Sequence, residues 1–276
     1  MNEGALQTRA VAVPPALLSL HYSPWSERAR WALDYQGVEY RLVQHAPFLG
    51  ERRLRKVVGT PTARATVPVL VTDGAVLRDS WDIALHADAH GTREKLVPPS
   101  LERSIRELND VIESTMMRSR NLVTAALLAD DAALDEGLPR YVPTAVRPLL
   151  RPLSRYGTRW FARKYGLDLV DLETPRRLLG ETLALFRERY GNRPYLFAHF
   201  TYADILFCSL LQGVCPVADR YLRLGPAWRN AWTQPTLVAE FGDLIRLRDR
   251  LYAEHRGERT RAARAASAAP TGNASA

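Results

Sequence analysis

"LHYSPWSERARWALDYQGVEYRLV", residues 20–43, sets the outline of the N-terminal part of the chain. The apolar run "ALLSLHY" that leads into it reads as a short buried strand, ended by Ser-Pro. "SERARWALDYQG" predicts a helix, with Ala29, Trp31 and Leu33 as apolar positions and Gly37 as its stop. "VEYRLVQH" alternates as a second strand. A strand running into the start of a helix is the setting of a C-x-x-C redox motif. Here Ser23 and Ser26 stand where the cysteines would be, so the outline is that of a redox site and the thiols are missing.

Outward from this stretch the periodicities keep a definite order. "LGERRLRKVVG" is a short basic helix or an irregular segment. "TVPVLVTDGAVLRDS" holds two short strands around Thr72-Asp73-Gly74, a hairpin signal. "SWDIALHADAHG" predicts a helix that Ser80 can cap and Gly91 can end. A helical crossover places the first two strands parallel, and a hairpin makes the second pair antiparallel, which gives a mixed four-stranded sheet. After "LVPPS" the strand signals stop. Leu101, Ile105, Leu108, Ile112 and Met116 recur at helical spacing, and the chain to residue 255 follows the same rule. The fold class is therefore α/β followed by all-α.

Composition narrows the function. The chain has 276 residues, 46% hydrophobic and 25% charged, enough apolar material for one large domain or two ordinary ones. No apolar run approaches the roughly 18 residues of a membrane span. "MNEGALQTRAVAVPPALL" does not read as a signal peptide, and a cytoplasmic protein is expected. Cys208 and Cys215 lie seven apart on a helical segment, about 10 Å along its axis, too far for a disulfide. Nothing at metal-ligand spacing joins them, so no metal is expected and the thiols read as buried and unreactive. The net charge of +8 includes Arg256, Arg259, Arg261 and Arg264, in or just before a stretch of disordered composition, so residues 256–276 read as a disordered tail. No nucleic-acid-binding motif accompanies the charge, and anionic small molecules fit it equally well.

Three further elements sharpen the fold. Val67-Pro68 puts a proline inside the strand-like "TVPVL", although proline cannot donate to a ladder. Asp79-Ser80 stands at the entrance to the third helix, where free N–H groups suit an anion. In "RPYLFAHFTYADILF", residues 193–207, Thr201 and Asp204 form a capping box with Asp in place of Glu. With these motifs in this order, the chain resembles the cytosolic glutathione transferase superfamily over roughly residues 17–255. The resemblance implies a thioredoxin-like glutathione-binding domain at 17–94 and an all-α domain at 101–255 that supplies the second-substrate pocket. It implies a cis Pro68, with Val67 exposing backbone groups to the cysteine of glutathione. Asp79 and Ser80 would receive the γ-glutamyl carboxylate, and the capping box would serve folding alone. Homodimerisation is also implied.

Within that superfamily, an omega-like pattern C-P-F-x-x-R-x-R lies on Ser23-Pro24-Trp25-Ser26-Glu27-Arg28-Ala29-Arg30. A zeta-like pattern, S-S-C-S-x-R-x-R, fits almost as well and puts Ser at position 23. A hydroxyl there cannot form a mixed disulfide, so thiol–disulfide exchange at this site is excluded. It can donate a hydrogen bond to the sulfur of glutathione. Lowering a thiol pKa from about 8.5 to about 6.5 takes roughly 2.7 kcal/mol. A charge-assisted hydrogen bond supplies roughly 1.5–3 kcal/mol, and a helix N-terminus roughly 0.3–1 more. One well-aimed serine is sufficient. Tyr22 is the second candidate, since tyrosine-type transferases use a Tyr at the end of the first strand, with a longer connecting loop. Ser26 comes third and suits the helix start.

Of the basic run Arg52, Arg53, Arg55 and Lys56, one member would meet the glycyl carboxylate of glutathione, and Lys56 is taken as that cation. Arg28 and Arg30 read as structural or solvent-facing. Met116, Met117 and Arg120 are candidates to line the acceptor pocket. The segment 138–166, rich in proline, arginine and aromatic residues, reads as a lid over that pocket, a lipid-touching basic surface, or an insertion packed on the outside; membrane contact is the less favoured of these. The leading expectation is conjugation of glutathione, as co-substrate, to an electrophilic or hydrophobic small molecule. Alternatives are a glutathione-dependent isomerase and a non-catalytic binding or scaffold protein that keeps the fold.

Overall fold

The computed structural model describes residues 14–60, 65–139 and 141–256. The N-terminal part runs β1 (Ala16–Ser19), α1 (Pro24–Gln36), β2 (Arg41–Gln44), α2 (Glu51–Val58), β3 (Val69–Val71), β4 (Val76–Leu77) and α3 (Ser80–His90). The strands form one sheet in the order β2-β1-β3-β4. β1 and β2 are parallel, with Leu18 opposite Val43. β3 is antiparallel to β1, Leu17 facing Leu70, and to β4, where Leu70 faces Leu77. Side chains alternate across a strand, so Leu17 and Leu18 enter different layers. Leu17 and Leu70 pack with Ala29, Leu33 and Ile83 of α1 and α3. Leu18, Val43 and Val69 pack with Leu54 and Val58 of α2.

The rest is helical: α4 (Glu102–Ala129), α5 (Asp131–Glu136), α6 (Arg147–Tyr165), α7 (Glu173–Tyr190), α8 (Tyr202–Leu210), α9 (Pro226–Trp232), α10 (Pro235–Glu240) and α11 (Gly242–His255). This is the mixed-sheet, thioredoxin-like domain followed by a helical one that the sequence implies. Every residue of α8 is buried, which explains its capping box: no water reaches its first turn. Asp204 accepts from the backbone N–H of Thr201 at 2.8 Å and of Leu196 at 3.0 Å, and from the Tyr190 hydroxyl at 2.8 Å. Burial still pushes its carboxyl above the usual range.

Two expectations are corrected. The cap of α3 is Asp79, not Ser80: Asp79 has extended backbone angles, and its carboxylate takes the Trp81 N–H at 2.8 Å. The terminal stretch is helical as read, though its helix pauses at Phe241, whose φ of −112° and ψ of 30° leave the helix before Gly242 starts the next. Arg256 does not belong to a solvated tail. It is buried, donating to Glu27 at 2.7 Å and to Asp34 at 2.6 Å, both on α1. The remainder of the expected tail, 257–276, lies outside the described residues.

Burial alone would raise the Glu27 carboxyl, but the charges of Arg256 and Arg30 hold it down to about 2. Its folded value lies below its unfolded one, so its contribution to stability is complete above about pH 4.5 and is lost as pH falls towards 2. Removing one partner of a buried ion pair strands the other charge. Arg256→Ala is therefore expected to lower the unfolding free energy by about 3–5 kcal/mol in denaturant titrations at pH 7. Between pH 4.5 and 2 the wild type is expected to lose stability more steeply than Glu27→Gln, measured the same way.

Candidate active site

Ser23 is the N-cap of α1, with φ −76° and ψ 124°, and its Oγ accepts the Ser26 N–H at 3.3 Å. Pro24 follows in the first turn, where its missing N–H costs nothing. Ser26 is fully buried and its Oγ accepts the Leu20 N–H at 3.1 Å, which fastens the end of the first strand to the helix. The two serines therefore divide the work. Ser26 is structural, whereas a capping hydroxyl that only accepts keeps its own proton to donate. Ser23 stands at the positive end of α1 and lines a cleft of about 1150 Å³. An ordinary small-molecule pocket holds roughly 300–1,000 Å³, so this one lies just above that range.

Tyr22 and Val67 line the same cleft. The Val67-Pro68 bond is cis, as the resemblance implies, and Pro68 is buried behind it. Asp79 and Ser80 start α3 outside the cleft lining; Asp79 is exposed, and Ser80 is buried against Tyr202. Lys56 is exposed on the last turn of α2 and does not reach the lining, because the inward positions of that helix are Leu54 and Val58. Arg28 and Arg30 are structural, as read. Arg28 is fully buried, paired with Glu113 and donating to Ser209 at 2.6 Å. Arg30 donates to Glu27 at 2.8 Å and to the His21 carbonyl at 3.0 Å.

The wall facing Ser23 comes from α4. Glu113, Met116, Arg120 and Val123 recur at helical spacing and share a face. Met116, Arg120 and Val123 line the cleft, whereas Met117 points away and is 52% exposed. Glu113 accepts the Trp25 indole N–H at 2.7 Å, besides pairing with Arg28. This fixes the Trp25 ring, and the Arg120 guanidinium lies 4.0 Å from its centroid and 4.4 Å from that of Tyr165. Burial pulls Arg120 below the usual guanidinium value. Tyr22 packs edge-on against Trp228 of α9 at 5.0 Å. Burial, and then neighbouring Tyr165, push the Tyr22 hydroxyl well above its usual value, so it is a neutral donor at physiological pH.

The segment 138–166 supplies the outer wall. Leu150, Tyr156, Phe161 and Tyr165 line the cleft, so α6 forms part of its wall. Its arginines turn towards protein: Arg151 donates to Asp131 and Asp135 of α5, each at 2.7 Å, and Arg155 to Asp131 at 2.8 Å. Near its end Lys164 donates to both carboxylate oxygens of Glu51 at 2.8 Å and to the Ala65 carbonyl at 3.0 Å. Opposite, Phe48 takes a left-handed φ of 69° and meets the Trp160 ring at 5.6 Å. Sequence reasoning passed over Tyr165, Trp228 and Phe48 individually. Only the aromatic density of 138–166 signalled one of them.

Cys208 is buried, and burial pushes its thiol well above its usual value; both cysteines are free. Among the described residues, no cluster of three or more His, Cys, Asp or Glu side chains is placed to hold a metal ion, and no helix is long and apolar enough to cross a membrane.

A strand, a cis proline and a capped helix meeting at one cleft, beside a helical domain, give the chain a glutathione transferase architecture. Residues 17–94 match the family model for the glutathione S-transferase N-terminal domain. The fold is similar to that of the glutathione transferase GSTFuA3 from Phanerochaete chrysosporium, with a TM-score of 0.59, 17% identity, and 88% of this chain and 97% of that one covered. It is similar to the β-etherase LigF from Sphingobium sp. strain SYK-6, at a TM-score of 0.57 and 18% identity over 88% and 96% of the two chains. It is also similar to a glutathione S-transferase from Methylobacterium radiotolerans in complex with glutathione sulfonate, at 0.52 and 20% over 88% and 92%. At these identities the likeness is one of fold. No curated protein sequence matches the chain. The N-terminal domain thus matches the glutathione S-transferase family model, and the fold of the chain is that of glutathione transferases.

The two serines are separable by mutation. Ser26→Ala leaves the buried Leu20 N–H without its acceptor and is expected to cost about 1–3 kcal/mol in denaturant unfolding. Ser23→Ala removes a cap and is expected to cost about 1 kcal/mol in the same measurement.

Proposed function

We propose that the protein binds glutathione in this cleft, holds it as the thiolate, and conjugates it to an electrophilic small molecule. The observation that carries the reading is the Ser23 hydroxyl, a helix N-cap with its proton unspent, on the lining of a cleft shared with Val67. In this reading Ser23 donates to the glutathione sulfur and the first turn of α1 adds its positive end. The thiol proton passes to solvent, and the thiolate forms a C–S bond as the acceptor's leaving group departs with the bonding pair. Tyr22, neutral and at the edge of the cleft, is a second donor. Val67 offers backbone groups to the cysteinyl residue of glutathione. The γ-glutamyl end is assigned to Asp79 and Ser80 at the start of α3. Lys56, which like Asp79 and Ser80 lies outside the cleft lining, is assigned to the glycyl carboxylate. Similarity to a transferase structure that contains glutathione sulfonate supports the choice of thiol.

Ultraviolet thiolate absorbance, followed while the protein is titrated with glutathione from pH 5 to 9, tests the first step. An apparent thiol pKa of about 6.5 is expected for the wild type, against about 8.5 for the free thiol. Ser23→Ala is expected to raise the bound value by about 1–2 units, and Tyr22→Phe to raise it less. No thiolate signal near neutral pH, with Ser23→Ala indistinguishable from wild type, would falsify the reading.

A further inference from the structure

Three groups on the cleft lining donate hydrogen bonds and meet no acceptor among the described residues. They are the Arg120 guanidinium and the hydroxyls of Tyr22 and Tyr165. Glu113, the carboxylate whose charge reaches Arg120, is already engaged by Arg28 and by the Trp25 indole. A guanidinium is always charged and carries five donors in a planar fork. Held against two aromatic rings and largely out of water, it has lost hydration without gaining a counter-ion. Burial keeps the Tyr165 hydroxyl protonated, so its proton is available to donate. A guanidinium without a counter-ion of its own, beside a hydroxyl free to donate, suits an anion.

The shape of that anion follows from the walls. Arginine pairs best with a planar carboxylate, through two parallel N–H···O bonds. Trp25 lies against Arg120, and Tyr156, Phe161 and Trp228 line the same cleft, which offers flat apolar surface to a ring. Tyr22 sits beside Ser23 in the chain, whereas Arg120 and Tyr165 come from α4 and the end of α6, so the anion site belongs to the wall facing Ser23.

We propose that Arg120, aided by the Tyr165 hydroxyl, binds the carboxylate of an aromatic or otherwise flat apolar acid, and that the acceptor substrate of this enzyme is of that class. Only the second clause rests on the glutathione transferase reading.

The probe is 3-phenylpropanoate, compared with its uncharged amide, titrated by calorimetry into the full-length protein without glutathione. The carboxylate is expected to bind at least about tenfold tighter than the amide. Arg120→Gln is expected to erase that preference, and Arg120→Lys, which keeps the charge and loses the fork, to retain part of it. Equal affinity of acid and amide, no saturable binding of the acid, or a preference that survives in Arg120→Gln overturns the proposal. With glutathione present, Arg120→Gln is expected to leave the thiolate absorbance unchanged, and its loss in that variant assigns Arg120 to the sulfur and also overturns it. Failure of the transferase reading looks different: no thiolate signal in the wild type, with the acid-over-amide preference still measurable.

Discussion

Glu113 joins the two domains at the point where the cleft is built. It lies on α4 and takes two donors from α1, the Arg28 guanidinium and the Trp25 indole N–H. Arg28 is fully buried and its charge needs a partner, so the register between α1 and α4 is not free to drift. Trp25 follows Ser23 by two residues, and the same carboxylate that neutralises Arg28 orients the ring on which Arg120 rests. The hydroxyl, the indole and the guanidinium thus share one anchor. A loosened Glu113 would blur all three positions at once, and tolerance in such sites is of the order of 1 Å.

Charge is distributed unevenly over this structure, and the unevenness has a pattern. The arginines of α6 carry much of the basic character of the middle of the chain, yet Arg151 and Arg155 are spent on the acids of α5. Lys164 is spent on Glu51, tying α6 to α2. These pairs hold the covering helix by several modest contacts instead of a large apolar seam, and Leu149, Leu153 and Tyr156 remain more than half exposed. Helices held in this way open at low cost compared with the core. A cleft of this volume with an outer wall so attached can admit a bulky second molecule without disturbing the sheet beneath it.

The sequence disclosed most about features whose cause is local. Alternation and helical spacing gave the strand and helix order, Gly37 ended α1 with a φ of 70°, and Thr201 with Asp204 announced a buried helix start. Ser23 and Ser26 were visible as a pair, but their division of labour depended on Leu20, whose N–H turns back to one of them and not the other. Arg256 was misread for the opposite reason: its partners Glu27 and Asp34 lie more than 200 residues earlier, and composition near the end of the chain is polar whether or not one arginine turns inward. Met117 and Arg120 were equal candidates for the pocket until the phase of α4 turned one outward and the other in. Tyr165 and Trp228 come from segments remote from α1, and no spacing rule links them to it.

Ser23 and Ser26 differ in one further respect that bears on how such proteins diverge. Because Ser26 ties down the end of the first strand, the side chain at position 23 carries little of the fold beyond its cap. Exchanging its oxygen for sulfur would leave the strand, the helix and the proline turn in place, while a thiol at a helix N-terminus ionises readily and forms covalent bonds to other thiols. A single atom would thus separate the proposed site, which steadies another molecule's sulfur, from one that reacts through its own. The scaffold sits beside that boundary and can cross it without being rebuilt.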